Sequence, residues 1–311
     1  MSFENIVGNT KIKQELKNVA NSNAVSHSYL FVGEEGIGKK QIAREFAKMI
    51  LCLSQEKEKC NQCDSCIKFI SNNNPDFIEI SEDGNSIKIA QIRELQEKIY
   101  QKPIVSSKKV VIIDNSEKMT EEAQNSLLKT LEEPPEYIVI ILITSNENKL
   151  LNTIKSRCLK LSFVNIDNKE MLEYIEKNQE IQKPSQSILE LCNGSIGRLI
   201  KINENIEEYN QIDVITKDMI SGRIPNVVKL INQYEVLYKS KEIIFDLLDY
   251  MIAIVYSHIK KNADYRSKFI NIICIINNAK TKLNSNTNYD MCIDEMLFKI
   301  WEEIDENNSR S

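Results

Sequence analysis

No run of the chain's 311 residues offers the roughly 18 consecutive apolar side chains that a membrane-crossing helix needs. The opening residues, Met1-Ser2-Phe3-Glu4-Asn5, lack the basic and then apolar pattern of a secretory signal. Together these absences predict a cytoplasmic protein with no membrane partner. Positive charge is also short, since 40 Lys and Arg against 45 Asp and Glu give a formal net charge of −5. That balance speaks against an autonomous, charge-driven DNA binder, while leaving room for a local basic patch or a shared surface. Histidine is scarce too. The two present, His27 and His258, have no carboxylate or cysteine partner legible in the sequence, and both read as structural. There is no low-complexity tract beyond the polar tail after Ile304, which is expected to fray.

What is present, 42% hydrophobic and 27% charged residues, is a soluble globular composition long enough for two or three domains. Eight cysteines occur, and four of them cluster at Cys52, Cys60, Cys63 and Cys66. A cytosolic chain keeps its thiols reduced, so disulfides do not account for the cluster. Three of the four stand in tight C-x-x-C spacing, and Cys52 lies at the end of the preceding apolar-periodic segment. Four thiolates suit tetrahedral Zn²⁺ and leave no open position for chemistry, which predicts a structural staple at 52–66, an iron–sulfur cluster being the minor competitor. The scattered Cys158, Cys192, Cys274 and Cys292 have apolar neighbours and read as small core residues.

Helical and strand periods alternate over the first half. Lys11 to Ala20 is amphipathic, Tyr29-Leu30-Phe31-Val32 is a buried strand, and Gln41 to Leu53 returns to helical period. Asp76 to Ile80 reads as a short strand, Ile89 to Tyr100 as a helix, and Val110 to Ile113 as a strand buried on both faces. Thr120 is placed to N-cap a helix with Glu121 and Glu122 in its first turn, ended by Pro134-Pro135. Tyr137 to Ile143 and Leu159 to Phe163 complete the strands, a pattern that predicts a doubly wound α/β domain. After Val164 only helices are expected: a small unit to about Leu199, then long helices from Ile212 to Ile304. The broad apolar stripe from Ile243 to Val255 marks a largely buried helix.

Gly33-Glu34-Glu35-Gly36-Ile37-Gly38-Lys39-Lys40 lies between strand and helix, the setting of a phosphate-binding loop. Its glycines let backbone N–H groups curl round a phosphate, and Lys39 reaches the outer oxygens. The next position should carry a Ser or Thr hydroxyl for Mg²⁺, and holds Lys40 instead. Asp114, at the end of a buried strand, stands where a Mg²⁺-orienting carboxylate belongs. The following position, a glutamate base in many such ATPases, is Asn115. Two departures therefore point to a weakened hydrolytic site. Arg157, in Ser156-Arg157-Cys158, is either an ordinary surface ion-pair partner or a guanidinium aimed at a neighbouring subunit's γ-phosphate.

Several strings occur here in one order: Phe3-Glu4-Asn5-Ile6-Val7-Gly8, His27-Ser28-Tyr29-Leu30-Phe31, the phosphate loop, the four cysteines, Asn125 to Pro135 (NSLLKTLEEPP), and Ser156-Arg157-Cys158. Together they closely resemble the AAA+ clamp-loader subunits of bacterial DNA polymerase III, over roughly residues 1–200. The resemblance implies an AAA+ module with a parallel sheet at 1–165, carrying the zinc insertion at 52–66, then a helical lid at 166–207 and an all-α oligomerisation collar at 208–305. Its gamma/tau members are the ATPase motors, with Thr or Ser after the loop lysine and an Asp-Glu pair after the strand. This chain departs at both places and stops short of tau's extended tail, so it looks more like the delta-prime type. That type implies that Arg157 acts in trans on an adjacent gamma/tau site. It also implies a nucleotide-binding set of Val7, Gly8, Gly33, Gly36, Gly38, Lys39, Lys40, Asp114 and Arg198 for ATP or ADP, with Lys40 speaking against Mg²⁺. Gly194, Ser195 and Arg198 resemble the second sensor motif. The implied partners are gamma/tau and delta subunits and, through the complex, the sliding clamp and primer–template DNA. The alternative is a gamma/tau-like motor hydrolysing ATP itself, with Asp114 and a substitute base such as Glu117.

Overall fold

In the computed structural model the described residues are 3–308, except 23, 56, 59, 179, 224–225, 262–265 and 286. The chain divides into two compact units, Met1–Lys177 with Gly194–Arg198, and Asn178–Asn193 with Leu199–Ser311.

The first unit is built on five parallel strands: β1 (Ser28–Val32), β2 (Phe77–Ile80), β3 (Lys109–Ile113), β4 (Ile138–Thr144) and β5 (Leu159–Ser162). Their order is β2-β3-β4-β1-β5, so β1 is flanked by the late strands β4 and β5. Every residue of β3 and β4 is buried, as their uninterrupted apolar runs require of strands covered on both faces. Alternation along β3 divides the core. Val110 and Ile112 join one apolar cluster, whereas Val111 and Ile113 join the other. On the first face lie α1 (Thr10–Ser22) and α2 (Lys39–Leu51), which contribute Leu16, Ala20, Ile42, Phe46 and Met49. A short α3 (Asp64–Ile70) follows within the cysteine segment. On the second face lie α4 (Ile89–Ile99) and α5 (Glu121–Glu132), through Ile92, Leu95, Leu127 and Leu131. The Thr120 hydroxyl accepts the Ala123 N–H at 3.3 Å, the expected cap of α5. A one-turn α6 (Asn152–Lys155) precedes β5, and α7 (Asn168–Lys177) follows it.

One buried carboxylate governs an entire connection. Asp76 is fully buried, and its Oδ1 accepts the Ile104 N–H at 2.7 Å. Its Oδ2 accepts those of Val105 at 2.8 Å and Ser106 at 2.7 Å. Asp76→Ala would leave three amides without their acceptor, so a loss of about 3 kcal/mol is expected. The fall should be read as a lower urea midpoint with the same slope.

The second unit is all helical. It comprises α8 (Gln186–Cys192), the later part of α9 (Ile196–Glu204), α10 (Ile206–Ile220), α11 (Val227–Gln233), α12 (Glu235–Lys239), α13 (Ile244–Lys261), α14 (Arg266–Leu283) and α15 (Tyr289–Asn308). α13 is its centre, packing on α8, α10 and α14, with Leu247, Leu248, Met251, Ile254 and Val255 buried. Beside them the Tyr250 hydroxyl donates to Asp213 Oδ1 at 2.9 Å, and Lys217 pairs with Asp213 Oδ2 at 2.6 Å. Two local expectations change. The polar tail after Ile304 continues as helix to Asn308, with 309–311 outside the described residues. Cys192 and Cys292 are buried and Cys158 half-buried, but Cys274 is exposed on α14, on the side of that helix away from its packed stripe. No helix among the described residues is long and apolar enough to cross a membrane.

Candidate functional site

The C-terminal end of β1 opens into the glycine loop, at the point where the strand order reverses. Gly36 has φ +77° and Gly38 φ +92°, conformations that a side chain strains, and Gly38 N-caps α2. A Cβ on Gly36 would also collide with the Ser195 hydroxyl and lie 3.1 Å from Gly197 Cα. The crowding comes from the Gly194–Arg198 segment, which grips the outside of the loop. The Ser195 hydroxyl donates to the Glu35 carbonyl at 2.8 Å, and the Gly197 N–H to the Gly36 carbonyl at 2.9 Å. The Arg198 N–H in turn donates to the Ser195 hydroxyl at 3.1 Å. Ile6, next to Val7 and Gly8, touches the same loop, its Cγ2 lying 3.5 Å from where a Gly38 Cβ would be. Gly8 has φ +74° and packs on Ile166, whose N–H donates to the Gly194 carbonyl at 3.2 Å.

Lys39 is 6% exposed and donates to the Gly33 and Glu34 carbonyls, both at 2.6 Å. Burial pulls its ammonium below the ordinary lysine range, against the opposing pull of Glu117 and Asp114. Lys40 points to the strand ends instead. Its ammonium lies 2.9 Å from Glu79 Oε1 and 3.0 Å from Asp114 Oδ2. Burial acts to lower its pKa, but the bonds to Glu79 and Asp114 outweigh that and hold it above the ordinary value. Asn115, with φ +48°, turns its amide to Glu82 at 3.0 and 3.2 Å. Glu117 Oε1 accepts from the Ser145 N–H at 3.2 Å and from the Ser145 hydroxyl. Burial acts to raise the Glu117 pKa, yet these and neighbouring hydrogen bonds hold it below the ordinary range, away from the neutral tuning of a general base.

The four clustered cysteines come together. Cys52 is the C-cap of α2, Cys63 the N-cap of α3, and Cys66 lies in its first turn. All four Sγ atoms lie within 4.8 Å of one another, Cys52 and Cys63 at 3.9 Å. A tetrahedral metal with bonds of about 2.3 Å needs sulfur–sulfur edges of about 3.8 Å, so these residues fit one. Backbone donors reach two of the sulfurs. Ser54 N–H donates to Cys52 Sγ and Cys66 N–H to Cys63 Sγ, both at 3.4 Å. The N–H groups of Gln62 and Cys63 hold the Cys60 thiol down at about 6, while burial pushes Cys52 up to about 11 and raises Cys66 further. Coordination reverses that burial penalty by deprotonating a bound thiol outright.

Arg157 is placed differently. It follows α6 and precedes β5, and its carbonyl accepts the Ser28 hydroxyl at 2.5 Å at the start of β1. Parallel pairing runs from Tyr29–Leu159 to Val32–Ser162, so Arg157 stands at the end of the sheet opposite the loop. Its guanidinium pairs with Glu132 at 2.7 Å and donates to the Thr153 carbonyl at 2.8 Å, with the side chain 33% exposed.

A parallel sheet in this order, a glycine loop after β1, an aspartate after β3 and a four-cysteine insertion together occupy the region in which one family model matches. That model, DNA polymerase III, delta subunit, covers residues 8–167. The chain belongs to this family. Among relatives, the Bacillus subtilis DNA polymerase III subunit delta' is 33% identical over 231 residues, 74% of this chain and 65% of that protein. The Mycoplasma pneumoniae DNA polymerase III subunit gamma/tau is 32% identical over 220 residues, 69% of this chain and 32% of that protein. This chain thus spans less than two thirds of either relative's own length. A DNA polymerase III gamma subunit-related protein of Thermotoga maritima shares the fold, with TM-score 0.52 and 18% identity over 93% of this chain and 99% of that one. The sheet and helices of this delta-family chain are accordingly a parallel α/β module followed by a mostly helical part.

Within that family frame the structure brings Gly33, Gly36, Gly38, Lys39, Lys40 and Asp114 together, with the Arg198 backbone and the Ile6–Gly8 segment alongside. It sets Arg157 apart from them. Two participants escaped the reading from sequence, Glu79 and the Arg44 that pairs with its second oxygen. A signal did exist for Glu79: it is the one charged residue in the strand Phe77–Ile80.

Proposed function

We propose that this chain is the delta-prime subunit of a DNA polymerase III clamp loader, working in the cytoplasm on primed DNA through the complex. Its own loop is a nucleotide site with little or no hydrolysis, and it supplies Arg157 to the ATP site of an adjacent gamma/tau subunit. The observation that carries this reading is the position of Arg157. A guanidinium at the far end of the sheet from the chain's own loop, part-exposed and held by an ion pair to Glu132, supports a role toward a neighbour's phosphate. Lys40 and Asn115 support the same division of labour, because they stand where a motor carries a hydroxyl and a carboxylate base. Delta' and gamma/tau relatives support membership of such an assembly, with gamma/tau and delta as the partner subunits. For the four cysteines we propose Zn²⁺, which closes all four positions and so serves as a staple.

Reconstitution tests the assignment. Mixed with gamma/tau and delta subunits, the chain should co-elute as one complex that places the sliding clamp on primer–template DNA. Omitting it should abolish loading, and full loading without it would rule the assignment out.

A further inference from the structure

Loops of this type hold their nucleotide together with Mg²⁺, through a hydroxyl one residue past the loop lysine and a carboxylate at the end of a neighbouring strand. The residues of this chain do not fit that ion. The hydroxyl position is Lys40, and its ammonium lies between the two carboxylates that would face the metal, at 2.9 Å from Glu79 Oε1 and 3.0 Å from Asp114 Oδ2. Those carboxylates are committed elsewhere as well. Glu79 Oε2 pairs with Arg44, whose other nitrogen donates to Asn72 Oδ1 at 2.7 Å. Asp114 Oδ1 accepts the Asn115 N–H at 3.0 Å. A divalent cation would therefore have to displace one ammonium beside a guanidinium, and position 40 offers it no hydroxyl.

The ammonium has the equipment for the same task. It is a compact cation with three donors, and the two carboxylates use two of them. Its side chain is 45% exposed, against 20% for Glu79 and 14% for Asp114, so its solvent side faces out from the carboxylate pair. It also follows Lys39 directly, at the first turn of a 13-residue helix whose N-terminus favours anions.

We propose that Lys40 is a built-in substitute for the divalent cation, so that the loop takes a nucleoside polyphosphate as the metal-free anion. The inference rests on reading Gly33–Lys39 as a phosphate loop. A site of this kind is indifferent to the Mg²⁺ on which its motor neighbours depend, and it keeps its ligand because no metal-activated hydrolysis follows.

The test titrates the full chain with a fluorescent ADP or ATP, with Mg²⁺ and in buffer freed of divalent cations on a chelating resin. Pre-treating the buffer rather than adding chelator leaves the cysteine cluster alone. The two dissociation constants should agree within about threefold, whereas Lys40→Thr should bind about tenfold or more tightly with Mg²⁺ than without. Both chains should show the same thermal midpoint, which separates the effect from misfolding. A wild-type chain that needs Mg²⁺, or a Lys40→Thr chain equally indifferent to it, overturns the proposal. So does the absence of binding in both buffers, and that outcome leaves the role of Arg157 standing, because a finger acting in trans needs no nucleotide in its own loop.

Discussion

Arg157→Ala, reassembled with the partner subunits, is expected to lower DNA-stimulated ATP hydrolysis at the adjacent gamma/tau site about 10³-fold or more, the scale on which phosphoryl transfer depends on such a guanidinium. The expectation follows from where the residue cannot act. Ser28, which anchors the Arg157 carbonyl, begins β1, and the glycine loop begins after Val32 at its other end. A five-residue strand spans about 16 Å, farther than an arginine reaches. A phosphate held in this chain's own loop is therefore out of reach of Arg157. The same geometry predicts what the substitution spares. A part-exposed ion pair to Glu132 contributes at most about 1 kcal/mol, so the isolated variant should unfold close to the wild-type midpoint. Arg157→Lys should rescue little, since a point charge does not reproduce the planar fork. Unchanged ATP turnover and clamp loading by the Arg157→Ala complex would reduce Arg157 to the surface ion pair that it also forms.

The parts of this fold legible in sequence are those with local causes. Val110 to Ile113 and Ile138 to Ile143 are unbroken apolar runs because both faces of β3 and β4 are covered, and their burial follows directly. Thr120 and Pro134-Pro135 bracket α5 for reasons that lie within a few residues of each end. The loop glycines are similarly local. What stayed hidden depends on strand order. Lys40 meets Glu79 and Asp114 only because β2 and β3 are paired, so that Ile80 and Asp114 end side by side, with Asp114 N–H donating to the Ile80 carbonyl at 2.9 Å. Nothing in the spacing of three residues spread from 40 to 114 announces that meeting. Asp76 is another case. It reads as the polar start of a strand, and only the folded chain delivers the amides of Ile104, Val105 and Ser106 to its carboxylate. The grip of Ser195 and Gly197 on the loop needs the chain to return after 160 residues.

The cysteine cluster lies between these extremes, and its removal should be the second large effect. The ligands are close in sequence, yet they leave three different settings: the end of α2, a loop, and the start of α3. Apolar cover is thin there, for Leu53, Ile67 and Ile70 are all exposed. The covalent geometry of a bound metal would supply what packing does not, at roughly 10–16 kcal/mol of apparent binding energy for structural zinc. Purified chain should contain close to one zinc per molecule, and Cys63→Ser should lose most of it. Cys63 is the informative choice because its sulfur also accepts the Cys66 N–H as the N-cap of α3, a bond that a serine hydroxyl can keep, so Cys63→Ser removes the ligand while leaving the helix capped. Hydrogen exchange should then rise across 52–70 while β1, β3 and β4 stay protected by their own apolar cover. The thermal midpoint of the metal-free chain should fall by several degrees and recover on adding Zn²⁺ to wild type but not to Cys63→Ser. A fully reduced chain with far less than one zinc, and equally protected across 52–70, would show that the four sulfurs pack as ordinary thiols.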